Sequence, residues 1–145
     1  MQVREAMTEA VVTVDPTAPV GEAARIMRDS DVGALPVRRS GATEIEGLMT
    51  DRDIVVRCVA MRLDPEITPV EDVMTKELVY CYDDEDVSGA ARAMQQEGVR
   101  RVLVFDRTTD ELQGIISLAD LAVRSDDPEV PAMVLHDLAE RRRAA

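Results

Sequence analysis

The sequence predicts an α/β fold of the α+β type, in which one strand-helix-strand-strand-helix motif occurs twice. Three observations predict it: a gapless internal repeat, short β-branched runs separated by turn residues, and apolar residues at helical spacing. Met7-Thr8 recurs 67 residues later as Met74-Thr75. The same shift brings other residues into register, among them Val3 on Val70, Met27 on Met94, Gly47 on Gly114 and Asp53 on Asp120.

The first strand and the first helix of each motif are predicted from residue spacing. Val11-Val12-Thr13-Val14 is a β-branched run typical of a strand, and Asp15-Pro16 supplies the turn that ends it. A helix is expected next, because apolar residues at i, i+3, i+4 and i+7 lie on one face. These residues are Val20, Ala23, Ala24 and Met27 in the first motif and Val87, Ala90, Ala91 and Met94 in the second.

Two more strands and a closing helix complete each motif. Strand patterns flank Ser40-Gly41 in the first motif and recur in the second, at residues 34–38, 45–49, 102–105 and 112–116. The closing helix of the first motif is expected over residues 51–62, and its counterpart begins at residues 118–123. The apolar side of the first of these helices is predicted to consist of Ile54, Val55, Cys58 and Met61.

Two prolines prevent the closing helix of the first motif from continuing. The residues around them, 63–69, are therefore predicted to be a linker. The first motif then occupies residues 1–62, the second occupies residues 70–125, and a C-terminal helical segment follows at 126–145. We expect this last segment to pack on the rest of the chain or across a dimer rather than to bind nucleic acid. Its apolar side is predicted to be Val130, Met133, Val134 and Leu138.

Composition restricts the class of function. The chain has 145 residues, of which 46% are hydrophobic, and a formal net charge of −12, so it would repel a nucleic-acid backbone. It begins with no basic segment followed by an apolar one and contains no run of about 18 apolar residues, so we expect a cytoplasmic protein. His136 is the only histidine, and Cys58 and Cys81 form no Cys-x-x-Cys pair, which disfavours a metal site and a disulfide.

Three motifs in each half resemble the signature of the CBS (cystathionine-β-synthase) domain family. They are Val-x-x-x-Met-Thr, Val-Gly-Ala-Leu-Pro-Val and Gly-Leu-Met-Thr-Asp-Arg-Asp-Ile, at residues 3–8, 32–37 and 47–54, with counterparts at 70–75, 99–104 and 114–121. Within the family, residues 50–54 followed by Leu63-Asp64-Pro65 look most like small stand-alone bacterial CBS-pair proteins of the hypoxic response type. The resemblance implies a β-α-β-β-α fold in each half, two halves packed by their sheets into one pseudo-two-fold module, and ligand clefts between them.

The resemblance also implies roles for a motif that both halves contain. Gly47-x-x-Thr50-x-x-Asp53 recurs as Gly114-x-x-Ser117-x-x-Asp120. The hydroxyl stands where a helix is expected to begin, so it is suited to cap the helix or to bind a phosphate. In the family the matching aspartate binds the ribose hydroxyls, for which a carboxylate has two accepting oxygens. The alternative, that these side chains only cap their helices, is open on the sequence alone.

The ligand that the resemblance implies is an adenine nucleotide (AMP, ADP or ATP) or another adenosyl compound, bound as a regulator and not as a required cofactor. The family pattern puts the adenine walls at Thr13, Val14, Leu35, Pro36 and Val37 in the first cleft, and at Tyr80, Cys81, Val102, Leu103 and Val104 in the second. Most of these side chains are also expected in core strands. Because the chain is acidic, phosphates would need local arginines. The candidates are Arg52 and Arg101, and further Arg38, Arg39, Arg57 and Arg100.

The sequence therefore predicts a non-enzymatic regulatory module that binds an adenosyl ligand, signals by conformational change and forms a homodimer. The alternative function is a ligand-free scaffold dimer that binds a partner protein. An enzyme is disfavoured because the sequence has no P-loop, nucleophile elbow or metal cluster. The second half departs from the family pattern, since Leu103 replaces Pro36 and Leu118-Ala119 replace Asp51-Arg52, so a weaker or differently selective second cleft is expected.

Overall fold

From Val20 and from Val87 onwards, helix, strand, strand and helix follow in the order that the repeat predicts, whereas the strand predicted before Val20 is not formed at residues 12–14. The protein is described by a computed structural model at residues 1–9 and 12–144. The described elements are α1 (Val3–Ala6), β1 (Thr8–Glu9), α2 (Val20–Ser30), β2 (Ala34–Arg38), β3 (Ile45–Thr50), α3 (Asp51–Ile54), β4 (Tyr80–Tyr82), α4 (Val87–Glu97), β5 (Arg101–Phe105), β6 (Leu112–Ser117), α5 (Leu118–Arg124) and α6 (Glu129–Ala144). The mixed α+β class with two sheets confirms the predicted fold class.

The chain folds into two compact units whose borders differ from those of the sequence repeats. Unit 1 consists of Met1–Ala10 and Val79–Ala145, and unit 2 consists of Val11–Leu78. The Met7-Thr8 segment therefore packs in the unit built on the second repeat. The Met74-Thr75 segment packs in the unit built on the first repeat. Each unit thus contains a segment that belongs, by sequence, to the other repeat.

Unit 2 is built on a two-stranded antiparallel sheet. β2 pairs with β3 so that Ala34 lies opposite Thr50 and Val37 lies opposite Gly47. The strand predicted before them is reduced to one parallel bridge between Val14 and Val37, in which the Val14 N–H donates to the carbonyl of Pro36 at 3.1 Å. Val12 and Thr13 are not in a strand, and Val11 lies outside the described residues. The core includes Val20, Leu35, Met49, Cys58 and Val73.

Three of the four residues predicted to form the apolar face of α2 are buried. Val20, Ala23 and Met27 are buried in α2, whereas Ala24 is exposed, so the prediction was wrong for this residue. The equivalent Ala91 of α4 is buried in one cluster with Val134 and Leu138 of α6. That cluster includes residues of a helix from the C-terminal segment, which is not part of the repeat.

The closing helix of the first repeat does not stay α-helical. It begins as α3 and continues as a π-helical turn at Val55–Val59. Cys58 is fully buried, as expected, but Val55 and Met61 are 59% and 66% exposed, so the predicted apolar side is wrong at both residues. Because a π turn holds more residues than an α turn, it shifts the side chains that follow it, among them Met61, away from the expected helical phase; this does not account for Val55, which begins the turn.

Unit 1 contains a four-stranded sheet in the order β1-β6-β5-β4. β6 pairs antiparallel with β1 and with β5, while β4 and β5 are parallel. α6 packs on α4 and α5 through Pro131, Val134 and Leu138, which confirms the expected packing of the last helix on the chain. Met133, predicted on the apolar side, is exposed instead. No helix in the described parts of the chain is long and apolar enough to cross a membrane.

Candidate functional site

A cavity in unit 2 brings together part of the predicted first site. Its volume is about 620 Å³, and it lies where the start of α2, the Val14 bridge and the end of β2 meet. Val14, Ala18 and Ile26 give it an apolar wall, and Gly41 and Ala42 also line it. The polar lining residues are Thr13, Asp15, Glu22, Arg38, Arg39 and Ser40. Thr13 and Val14, predicted to contact adenine, therefore line a cavity of ligand size.

Some of the charged side chains that line this cavity already have hydrogen-bond or ion-pair partners within the protein. The Asp15 carboxylate accepts hydrogen bonds from the Thr17 hydroxyl at 2.6 Å and from the backbone N–H groups of Thr17 and Ser40. These bonds, the hydroxyl first, lower the pKa of Asp15 to about 2. Arg39 is paired with Glu46 at 3.3 Å. Arg38 also lines the cavity and has no ion pair with any residue that the structure describes.

Asp53 lies outside this cavity, at the junction between β3 and α3. It is the buried charged residue of unit 2, with only 7% of its surface exposed. Its backbone N–H donates to the Thr50 hydroxyl oxygen at 3.1 Å, and its carboxylate accepts the Thr50 N–H at 3.0 Å. This reciprocal pair is a capping box. Thr50 and Asp53 therefore cap a helix, which was the alternative to ligand binding in the sequence analysis.

Two more side chains bind the same carboxylate. The Thr75 hydroxyl lies 3.1 Å from both oxygens of Asp53, and Arg57 Nη1 lies 3.8 Å from Oδ1. Arg57 also donates to the backbone carbonyls of Val73 and Met74 at 3.2 Å and 3.0 Å. Arg57, one of the predicted phosphate ligands, is thus engaged with the Met74-Thr75 segment. The carboxylate of Asp53 joins the start of α3 to that segment.

Unit 1 contains the same network at the positions that the repeat predicts. Ser117 and Asp120 form the capping box of α5, with the Ser117 N–H donating to Asp120 at 2.8 Å. The Thr8 hydroxyl donates to Asp120 Oδ1 at 3.2 Å. Arg124 lies 3.8 Å from that carboxylate and donates to the carbonyls of Ala6 and Met7. In both units, therefore, an aspartate accepts a hydrogen bond from the threonine of a Met-Thr segment, and an arginine donates to backbone carbonyls of the same segment.

The glycine of the repeated motif makes room for this segment. A Cβ atom built on Gly47 would lie 2.8 Å from the carbonyl oxygen of Thr75, and one built on Gly114 would lie 2.5 Å from that of Thr8. The sequence analysis missed the roles of Thr8, Thr75 and Arg124. The signal was present, because the 67-residue shift matches Thr8 with Thr75 and Arg57 with Arg124. Their partners, however, lie far away in the sequence.

The remaining predicted site residues lie in the strands or on the surface. Leu35, Pro36 and Val37 are buried in β2, and Val102, Leu103 and Val104 are buried in β5. Arg101 is half-buried opposite Ser117, whereas Arg52 and Tyr80 are exposed. Cys81 is buried in β4, and burial, with a smaller contribution from Glu85, raises the pKa of its thiol to about 12.

Neither cysteine is bonded to another side chain through sulfur in the structure. Cys58 and Cys81 are both free and buried, and the absence of a disulfide stays a prediction. Within residues 1–9 and 12–144, no group of three or more histidine, cysteine, aspartate or glutamate side chains is arranged to hold a metal ion.

Comparison with known proteins identifies the repeat. The pattern of the CBS domain matches residues 3–59 and 70–126. CBS domain-containing protein YhcV of Bacillus subtilis is 36% identical over 139 residues, which are 96% of this chain and 96% of that protein. Hypoxic response protein 1 of Mycobacterium tuberculosis is 31% identical over 119 residues, covering 82% of this chain and 81% of that one.

Solved structures agree in fold. The crystal structure of Hypoxic Response Protein I with two coordinated zinc ions superposes with a TM-score of 0.72 at 30% identity, covering 85% of this chain and 98% of that one. A CBS domain protein from Pyrobaculum aerophilum complexed with AMP superposes with a TM-score of 0.78 at 23% identity, covering 94% of this chain and 99% of that one. At this identity the second likeness concerns the fold alone.

Proposed function

Since this chain belongs to the CBS domain family and carries two copies of the domain, we propose that it is a regulatory module that binds an adenine nucleotide or a related adenosyl compound. The observation that carries the proposal is the cavity of about 620 Å³ in unit 2. Its size is in the range of small-ligand sites. The relative from Pyrobaculum aerophilum, complexed with AMP, makes AMP the first ligand to test.

The chemistry of the cavity supports a ligand with a flat base and a negative charge. Val14, Ala18 and Ile26 offer apolar surface to a base, and Thr13 offers a hydroxyl to its polar edge. Arg38 offers an uncommitted guanidinium to phosphate, for which its forked donors are suited. In an acidic chain, such a local cation is what a nucleotide requires.

Ribose binding by Asp53 is a separate part of the proposal, because its carboxylate already has other partners. A ribose that bound both oxygens would displace the Thr75 hydroxyl, which lies 3.1 Å from each of them. Thr75 lies on the segment that leads out of unit 2 towards Val79. We propose this exchange as the route by which ligand binding changes conformation.

The alternative function, a ligand-free scaffold that binds a partner protein, is favoured by one observation. Asp53 and Asp120 are both satisfied by caps, threonine hydroxyls and arginines of the same unit. A carboxylate that is fully bound within its own unit gains little from a ribose. If the scaffold hypothesis is correct, adenosyl compounds will leave the thermal stability unchanged.

The deciding experiment is calorimetric titration and thermal shift with AMP, ADP, ATP and S-adenosylmethionine. At a hundred times its dissociation constant, a ligand should stabilise the fold by about 2.7 kcal/mol. Arg38→Ala should weaken nucleotide binding about tenfold or more, because a hydrogen bond to a charged group contributes about 1.5–3 kcal/mol. Arg28→Ala, which removes an exposed arginine of α2 outside the cavity, is the matched control and should bind normally.

The experiment also separates the two parts of the proposal. A 2′-deoxy nucleotide should bind more weakly than its ribose form if Asp53 is a ligand, and equally if only the cavity is used. Binding of none of these compounds would overturn the proposed function in favour of the scaffold. We propose that the module acts in the cytoplasm, where adenine nucleotides are available, and that it regulates without catalysing a reaction.

A further inference from the structure

Two arginines, one in each unit, donate to backbone carbonyls at matching positions. Arg57 Nη1 lies 3.2 Å from the carbonyl oxygen of Val73 and 3.0 Å from that of Met74. The 67-residue shift carries Arg57 to Arg124, whose Nη1 donates to the two matching carbonyls of unit 1 at 3.0 Å and 2.8 Å. Because the same pair of bonds recurs in both units, it is a feature of the repeated fold and not the chance position of one side chain.

The residues that lead up to these carbonyls in unit 2 are anchored by burial. Val70 and Val73 are fully buried, and the backbone N–H groups of Val73 and Met74 both donate to the carbonyl of Val70, at 3.0 Å and 2.9 Å. Carbonyls at the end of a helical turn have no partner within it. Arg57 supplies the missing donor, and a hydrogen bond from a charged group is stronger than one between neutral groups. The segment is therefore firmly held up to Met74.

From Thr75 onwards, the chain of unit 2 is held by fewer contacts. The Thr75 hydroxyl donates to Asp53. Its backbone forms one isolated bridge with Leu48, in which each N–H lies 2.9 Å from the carbonyl oxygen of the other residue. Lys76 and Glu77 are exposed and belong to no helix or strand. At Thr75 the segment therefore changes from an anchored part to a part attached by one side chain and one bridge.

This change falls close to the point where the chain leaves each unit. Unit 2 ends at Leu78, three residues after Thr75, and the first stretch of unit 1 ends at Ala10, two residues after Thr8. Both connections between the units therefore begin beside a threonine that donates to the repeated aspartate. A change at that threonine acts on the connection, whereas a change before it would act on the buried core of the unit.

We propose that Arg57 and Arg124 are clamps that confine the conformational change produced by a ligand to the residues after the clamped carbonyls. A ribose that takes the carboxylate of Asp53 displaces the Thr75 hydroxyl, and the segment opens from Thr75 onwards. Arg57 keeps its hold, because its own bonds go to carbonyls and its guanidinium lies 3.8 Å from the carboxylate. The arginine is thus a positioning residue that preserves the core of the unit. The inference rests on the proposed function and adds its regulation.

Amide hydrogen exchange, followed by NMR in the full chain, tests where the change stops. At saturating AMP, the amides of Thr75 and Leu48 should exchange about tenfold faster or more, because the bridge between them is lost. The amides of Val73 and Met74, which bond to the carbonyl of Val70, should be unchanged. Faster exchange at Val73 and Met74 together with Thr75 would overturn the inference.

Calorimetric titration of the same sample with AMP keeps the two proposals apart. If AMP binds and the exchange at Thr75 stays as it was, the inference is overturned while the proposed function stands. If AMP does not bind, the proposed function itself fails, and the inference fails with it.

Arg57→Ala removes the clamp and leaves the aspartate and the threonine in place. In this variant AMP should accelerate exchange at Val73 and Met74 as well, by about tenfold. In Arg28→Ala, which removes an exposed arginine of α2, the AMP response should match that of the wild type. An AMP response of Arg57→Ala that still stops at Thr75 would mean that the arginine affects stability alone and would refute the clamp. Should this variant not fold, Arg57→Lys, which keeps the charge but lacks the forked donors, replaces it with the same expectation.

Discussion

At the residue scale, one aspartate in each unit has three structural partners. Asp53 and Asp120 complete the capping box of the following helix, accept a threonine hydroxyl and lie 3.8 Å from an arginine. A carboxylate used in this way stabilises a helix start and the packing of a distant segment together. Substitution of such an aspartate therefore changes stability as well as any ligand contact.

Asp53→Ala should lower the free energy of unfolding by about 2 kcal/mol or more, because it removes the cap and leaves the Thr75 hydroxyl without its acceptor. Chemical denaturation monitored by circular dichroism measures the change. Asp29→Ala is the matched control, since Asp29 is exposed and pairs only with its neighbour Arg28, and it should change stability little. Equal stability of the Asp53 and Asp29 variants would contradict the structural role.

Cys81 should be chemically silent in the folded protein. Burial raises the pKa of its thiol from 9.0 to about 12, so the reactive thiolate is scarce near neutral pH. A thiol reagent at pH 8 should label neither cysteine until the chain is unfolded in guanidinium chloride. Because the unfolded thiol ionises first, the free energy of unfolding should fall as the pH rises from about 9 towards 12. Rapid labelling of the native chain would show the buried position to be wrong.

At the element scale, α6 is a helix outside the repeat that packs on two helices of unit 1. It buries Pro131, Val134 and Leu138 against α4 and α5, and Arg141 donates to the carbonyls of Gln95 and Gln96 near the end of α4. These bonds satisfy carbonyls that a helix end leaves without partners. The C-terminal segment is therefore a structural part of unit 1.

Two leucines of α6 provide a matched test of this packing. Leu138→Ala should cost about 2–3 kcal/mol, near the lower end of the range for buried leucines. Leu135→Ala, an exposed position on the same helix, should cost less than about 0.5 kcal/mol. Thermal unfolding of the two variants under identical conditions measures the difference. Similar losses would mean that α6 does not bury the face assigned to it.

The close approach at Gly114 gives a second element-scale test. An added Cβ would lie 2.5 Å from the Thr8 carbonyl oxygen, so Gly114→Ala should separate β1 from β6 and destabilise the fold. Gly89→Ala, inside α4, is the control, because its added Cβ meets only the movable end of Glu85 and alanine favours a helix. Urea denaturation should give a loss for the first variant and no loss for the second.

At the scale of the whole molecule, the exposed apolar side chains of the π-helical turn support the predicted homodimer. Val55, Val59 and Met61 are 59%, 63% and 66% exposed within one short stretch of the chain, and exposed apolar surface commonly marks an interface. A two-fold dimer would cover the same patch on both copies. We expect the second copy of this chain to be the partner of the patch.

Light scattering at micromolar concentration should give twice the 16.0 kDa mass of one chain. Val59→Glu should shift the mass to that of one chain, because it places a charge in the apolar patch. Thr108→Glu, in the turn after β5, adds the same charge elsewhere and should leave the dimer intact. A wild-type mass near 16.0 kDa would refute the dimer, whatever the variants do.

Much of the local structure could be predicted from the sequence. Spacing of apolar residues located the helices that begin at Val20 and Val87, and the hydroxyl-x-x-aspartate motif located the starts of α3 and α5. These features depend on interactions within a few residues, such as one helical face or one capping box. A single sequence contains that information directly. The internal repeat then extended each prediction to the other half of the chain.

Only the tertiary structure decided which distant segments meet. Residues 1–9 pack with the second repeat, which brings Thr8 to Asp120. The Met74-Thr75 segment packs with the first repeat, which brings Thr75 to Asp53. Ala24 is exposed, whereas the matching Ala91 is buried in a cluster that includes residues of α6, far along the chain. The physical reason is that burial and hydrogen-bond partners depend on packing between segments, which the local pattern of residues does not specify.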